Sequence, residues 1–244
     1  MARGARLPDS GTAEPKRVDW KAGQVLYRVH SRKREAVEFN PTPQDHHFGG
    51  GRFDSTPNLH YSYLYAAPDQ TTALAERLLR DISFDGMNPT RVLQRKELEG
   101  KRLSQVRLAQ DVALLSLRTV FDLNAVQQNN DWLVRSQPTE YAFTRRWAHW
   151  LRAEAPWAQG FLYESRLAFP NVSLVLFDRC AHSDLLEATG EPARDLDEPD
   201  TVRWLDGQLR PFHVRVGSPD APDAADGTGT GTGTGTGIDT DTGA

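Results

Sequence analysis

The sequence of 244 residues is poor in several things, and each scarcity excludes something. Cys180 is the only cysteine, so neither an internal disulfide nor a cysteine-based zinc cage is available. A lone thiol fits a reducing, cytoplasmic setting. No run approaches the ~20 apolar residues needed to cross a bilayer, so no membrane association is expected. Arg3 and Arg6 are followed by no apolar stretch, so no secretory leader is expected either. The seven histidines are scattered apart from His46-His47; with no His-x-x-x-His pair or acidic cluster, no metal site is expected. A strongly basic stripe is also missing, which argues against a direct nucleic-acid binder. The net charge of -4 divides unevenly. From Glu191 onward there are 11 acidic and 4 basic residues, against 22 acidic and 25 basic over residues 1–190. The body is mildly basic, which suits an anionic small molecule no better than it suits no ligand at all.

Composition divides the chain into a body and two tails. Residues 1–18 are polar, contain Pro8 and Pro15, and lack periodicity, which predicts a disordered lead-in. Residues 217–244 predict a disordered tail, because Gly and Thr alternate from Gly227 to Gly237 and bury too little apolar surface to offset their ordering entropy. Slippage of a short DNA repeat explains that tract more readily than a linker to a partner. One domain is expected over residues 19–187, with a C-terminal extension over 188–216.

Within the body, alternation from Gln24 to His30 predicts a strand, with Leu26, Arg28 and His30 on one face. Tyr61–Ala66 predicts a second strand. Pro68 ends it, and Asp69 or Thr71 caps a helix over 72–81 that buries Ala75, Leu78 and Leu79. Val92–Leu98, Val112–Leu117 and Thr119–Leu123 read as short strands or helix edges. Ser136 and Pro138 open a longer helix carrying Tyr141, Phe143, Trp147, Trp150 and Leu151 at helical spacing. Phe161–Tyr163 and Val172–Phe177 read as buried strands. Short strands with segregated helices predict an α+β fold.

Four features carry chemistry, each beside a plainer reading. Arg28 lies inside an apolar strand, where it must be paired or face a wet cleft as an anion clamp; the alternative is an exposed edge strand. Gly49-Gly50-Gly51-Arg52-Phe53 lets backbone approach a ligand and forms an anion nest, or is a plain loop. It is neither a Walker loop nor a dinucleotide fingerprint. Glu76 borders the buried stripe of its helix, or pairs with Arg80 on a solvated face. Ser165 follows a buried strand and either donates to a ligand or caps a turn. It lacks the Gly-x-Ser-x-Gly of a nucleophile elbow. Trp132, Trp147, Trp150 and Trp157 read as core rather than as a stacking platform.

Together and in order, these features are more specific. Tyr27-Arg28, Gly50-Gly51-Arg52-Phe53, Tyr65-Ala66-Ala67 running into Ala73-Leu74-Ala75-Glu76, Gly160 to Ser165-Arg166, and Leu174-Val175-Leu176-Phe177 resemble the RES domain family over Gln24–Asp178. The Arg, Glu and Ser that name the family correspond to Arg28, Glu76 and Ser165. The resemblance implies a fold like the ADP-ribosyltransferase toxins and an NAD-consuming activity. It further implies a toxin of a bacterial toxin–antitoxin pair with a separate Xre-type antitoxin, and it admits a homodimer. Two departures stand out: Phe53 occupies a position where the family often has Trp, and the acidic Gly-Thr tail is foreign to the domain.

Nicotinamide in NAD is already cationic, so it leaves without protonation. One carboxylate then suffices where glycosidases use two. Glu76 is the candidate catalytic group, with Tyr65 on the nicotinamide side and Ser165 on ribose or amide. Arg28 and Arg52 would hold phosphate, with Gly50, Gly51 and Phe53 completing the binding surface. NAD is then the substrate, no cofactor is required, and inorganic phosphate is a candidate co-substrate. Hydrolysis, phosphorolysis and protein ADP-ribosylation differ only in the nucleophile, which the sequence leaves open. A non-catalytic nucleotide-binding regulator, and an interaction protein working through its tail, are the readings of another class.

Overall fold

The computed structural model describes residues 6–44, 49–84, 86–178 and 184–218. His46-His47, Cys180 and the Gly-Thr tract lie outside the described residues.

The chain begins with β1 (Arg17–Trp20) and β2 (Val25–Ser31), then β3 (Ser62–Ala66) and α1 (Gln70–Leu78). β4 (Arg91–Leu93), β5 (Lys101–Leu108), β6 (Val112–Leu117), α2 (Val120–Ala125), α3 (Trp132–Arg135) and α4 (Tyr141–Glu154) follow. The last elements are β7 (Gly160–Glu164), β8 (Val172–Asp178), β9 (Leu186–Ala188), β10 (Arg194–Asp195), α5 (Pro199–Leu209) and β11 (Val214–Val216). The architecture is α+β, as the pattern predicts.

Two sheets stack face to face. The first has the order β1-β6-β7-β8-β3 and is antiparallel except for the β6–β7 pair. The second has the order β10-β5-β2, with β9 also on β5. A smaller parallel pair joins β11 to β4. The period of two in β2 sorts its side chains between layers. Leu26 faces the first sheet, in a cluster with Leu64, Leu114, Leu162, Leu174, Leu176 and Val106. Tyr27 and Val29 turn the other way, against a cluster that includes Leu74 and Leu78 of α1 and Leu205 and Leu209 of α5. The outer face of the first sheet packs an aromatic layer, with Phe53, Phe161, Tyr163 and Phe177 against Trp147, Trp150 and Leu151 of α4. The tryptophans expected in the core are there: Trp132, Trp147 and Trp150 are buried and Trp157 is partly buried.

Several elements depart from the pattern. Of the two readings for Thr119–Leu123, the helix edge is the one the structure takes: it starts α2, because Thr119 and Asp122 form a reciprocal capping box that outweighs the β-branched residues. Val92–Leu98 divides into β4 and a 3₁₀ turn over Arg95–Leu98. Arg17 and Val18, grouped with the lead-in, belong to β1 and pair with Leu115 and Leu114. Residues just before them are also tied down: Gly11 N–H donates to Glu154, and Glu14 N–H to the Ala125 carbonyl. The segment 188–216 is part of the same core rather than an appendage, since Leu196, Val202, Leu205, Leu209 and Val214 are buried beneath α1.

Candidate active site

β2 and the end of β3 are joined by a single bridge, Tyr27 with Ala67, and the two sheets diverge from there. The cleft so opened has a volume of about 490 Å³, within the ~300–1,000 Å³ common for small-molecule sites. Arg28, Gly51, Arg52, Tyr65, Glu76 and Tyr163 line it.

Arg28 reaches the cleft because it follows Leu26 on the inner face of β2. β2 is the edge strand of its sheet, but Arg28 is only 5% exposed, which removes the reading of a solvent-exposed arginine. Its Nη1 donates to the carbonyls of Ala36 at 2.7 Å and Glu38 at 2.9 Å. Burial lowers its pKa to about 10, against the pull of Glu38, so it stays charged at neutral pH. Its Nε is buried without a partner.

Glu76 reaches the same cleft from α1, which starts four residues after β3 ends. Asp69 caps that helix by accepting from Thr72 N–H at 2.8 Å, so the direction of α1 is fixed at its first turn. The Glu76 carboxylate receives the Ser165 hydroxyl at 2.6 Å on Oε1 and faces Arg52 Nη2 at 3.7 Å from Oε2. The alternative pair with Arg80 does not form. Arg80 turns instead to the Gly50 carbonyl, at 2.6 Å, and to Asp81.

Arg52 is buried at 5% exposure, with its guanidinium over Tyr163 at 5.4 Å and Tyr141 at 5.8 Å. Burial works against its charge, but Glu76 and the surrounding tyrosines outweigh it and hold its pKa above the ordinary value. The glycines before it are required by space. A Cβ on Gly51 would lie 2.6 Å from the Tyr65 hydroxyl, and one on Gly50, whose φ is +70°, would lie 2.5 Å from Asp54 Oδ2.

Three residues expected to touch a ligand are engaged with protein partners, Tyr65 only through its hydroxyl. Ser165 is fully buried behind Glu76, off the cleft wall, and also accepts from the N–H groups of Leu167 and Ala168. With its hydroxyl held on Glu76, it positions the carboxylate. Phe53 is fully buried in the aromatic layer, edge-on to Phe161 and Tyr163, because the turn that points Arg52 into the cleft points its neighbour into the core. Tyr65 keeps its ring on the cleft wall, but its hydroxyl donates to Asp54 at 2.8 Å and accepts from Phe53 N–H at 2.9 Å. Burial and Asp54 push that hydroxyl well above the usual tyrosine pKa.

Other participants went unrecognised in the sequence. Asp54 is 2% exposed and takes up Gly51 N–H and the Tyr65 hydroxyl; burial raises its pKa despite these bonds. Arg145 of α4 is fully buried and donates to the carbonyls of Gly49 and Gly51. It falls at helical spacing with Tyr141 and Ala148, so a cation on an apolar stripe was the available signal. His30 lines the cleft beside Arg28, bonded to the Ser104 hydroxyl at 2.8 Å and the Ser31 carbonyl at 2.9 Å.

Fold and site thus define an α+β protein in which the Glu76 carboxylate faces arginines where two sheets part. The RES domain family model matches residues 25–215, and the chain belongs to that family. Among solved structures, the M. tuberculosis MbcT-MbcA toxin-antitoxin complex contains a chain that aligns with a TM-score of 0.49 and 19% identity, covering 73% of this chain and 86% of that one. No curated protein matches.

Proposed function

We propose that the chain cleaves the nicotinamide–ribose bond of NAD, as the toxin of a toxin–antitoxin pair. The observation that carries this reading is the Glu76 carboxylate, fixed by Ser165 and facing Arg52 on the wall of a cleft that also holds Arg28. Bond breaking moves the positive charge of the nicotinamide ring onto the ribose, and nicotinamide departs neutral. A carboxylate already oriented at the ribose stabilises that charge without reorganising. Ser165 holds the carboxylate in one rotamer. Arg28, charged and with an unpartnered Nε, is suited to the diphosphate. The ring of Tyr65, which lines the cleft with Tyr163 behind it, suits a flat base.

The nucleophile is water or inorganic phosphate; transfer to a protein side chain is the competing outcome of the same chemistry. We propose a separate Xre-type antitoxin as the chain's partner. A homodimer is compatible with the family. The test is NAD loss by the purified chain, with and without inorganic phosphate, beside Glu76→Gln. Loss by the wild type alone supports the enzyme, and dependence on phosphate identifies phosphorolysis. Binding of NAD without loss would instead support a regulator, and label on a protein with no free ADP-ribose would support transfer.

A further inference from the structure

Arg52 faces Glu76 with its guanidinium over two tyrosine rings, yet few polar contacts fix the direction of its side chain. Its Nε is buried without a partner, and its one carboxylate contact is 3.7 Å long. The backbone around it is held instead, and by side chains rather than by a ladder. Arg145 donates to the carbonyls of Gly49 and Gly51, and to that of Gln44. Arg80 Nη1 donates to the Gly50 carbonyl and Thr144 Oγ1 to the Arg52 carbonyl, at 2.6 and 2.9 Å. From the other side, Asp54 Oδ2 accepts Gly51 N–H at 2.7 Å, while Tyr65 joins Asp54 Oδ1 to Phe53 N–H. Five successive residues, 49 to 53, are thereby caught between α4, β3 and the end of α1.

We propose that Arg145 and Asp54 are positioning residues that set Arg52 against Glu76. A fully buried guanidinium and a nearly buried carboxylate are costly to desolvate, and apolar side chains of equal volume would serve packing alone. What apolar residues cannot do is fix carbonyl and N–H groups of a glycine turn that has little conformational preference of its own. The planar fork of Arg145 spans separate carbonyls, which a lysine ammonium cannot reproduce. The inference rests on the reading that Arg52 and Glu76 act on the substrate.

The test uses the full chain carrying Arg145→Met, Arg145→Lys or Asp54→Asn. Hydrogen exchange of the 49–54 amides is measured beside kcat and KM for NAD. In Arg145→Met the turn should exchange about tenfold faster or more. Its kcat should fall roughly 100-fold, the scale of a small misplacement in an active site, with KM within about threefold because Arg28 is untouched. Arg145→Lys should fall between. If Arg145→Met does not fold, Asp54→Asn keeps the volume and reads the same quantities. A folded variant with unchanged exchange overturns the inference whatever the substrate, as does a freely exchanging turn with wild-type kcat, or a loss confined to KM. A wild-type chain inert toward NAD counts against the proposed function, and the exchange measurement then decides whether the cradle exists.

Discussion

Replacing Glu76 by Gln changes one oxygen to an amide and leaves the shape intact. Gln Oε1 can still accept the Ser165 hydroxyl, which now lies 2.6 Å from Glu76 Oε1, so the local bond survives. What is lost is the negative charge, and it is lost twice. The reacting ribose loses the group that would stabilise its developing charge. Removing one preorganised electrostatic group costs about 10²–10³ in kcat, which sets the expected loss. Arg52, buried at 5% exposure, also loses its carboxylate partner. Stranding a fully buried charge costs ~3–5 kcal/mol. Here the partner oxygen is 3.7 Å away and the Glu76 side chain is 18% exposed on the cleft, so about 1–3 kcal/mol is the better figure. For a domain of this size that lowers Tm by roughly 2–12 °C. NAD turnover and a thermal melt on the same preparation check both effects. A folded Glu76→Gln chain that turns over NAD like the wild type would refute the role of the carboxylate. A loss of stability above ~5 kcal/mol would show that the Arg52 pair is mainly structural.

Other perturbations follow from the same geometry. Ser165→Ala frees the Glu76 carboxylate and leaves the N–H groups of Leu167 and Ala168 without their acceptor. It should cost about 2–4 kcal/mol and lower kcat, and urea unfolding with a turnover assay would measure both. Gly51→Ala places a Cβ 2.6 Å from the Tyr65 hydroxyl, so Tyr65 or the turn must move; a crystal structure and kcat should both change, while unaltered kinetics would show that the turn tolerates the shift. His30 is held neutral, its pKa lowered to about 4 by burial and by Arg28. The unfolded chain takes up that proton below about 6.5 and the folded chain only near 4. Stability should therefore be full above pH ~6.5 and fall toward pH 4, by up to ~3 kcal/mol from this group. Denaturant midpoints measured across that range should flatten in His30→Gln.

How much of this was legible depended on whether a residue obeyed a local period. β2 was readable because its alternation matched its burial, β3 because a Tyr-rich run is ended by Pro68, and Asp69 announced α1 because a cap acts on its own helix. Arg28 and Glu76 could be named as cleft residues, since one interrupts an apolar strand and the other borders a buried stripe. β5 was missed although it is the centre of the second sheet: Lys101, Arg102, Gln105 and Arg107 are spread over both of its faces, and Leu103 packs on the opposite side from Val106 and Leu108, so no simple apolar alternation shows. α5 was passed over because acidic composition spread across 188–216 hid Val202, Leu205 and Leu209 at helical spacing.

The partners of the site residues were harder to read, because they depend on contacts between distant segments. Ser165 and Glu76 stand 89 positions apart, and Arg145 lies 94 from the Gly51 carbonyl it holds. The error over Phe53 has the same origin. By pattern it belongs with Arg52, since both follow the glycines. In space consecutive side chains leave an extended turn on opposite sides, so bringing Arg52 to the cleft sends Phe53 into the aromatic layer beside Phe161 and Tyr163. That burial ties the turn to the core beside Arg52. The aromatic neighbour expected to touch substrate therefore contributes to the site as an anchor, and its replacement should disturb packing before it disturbs binding.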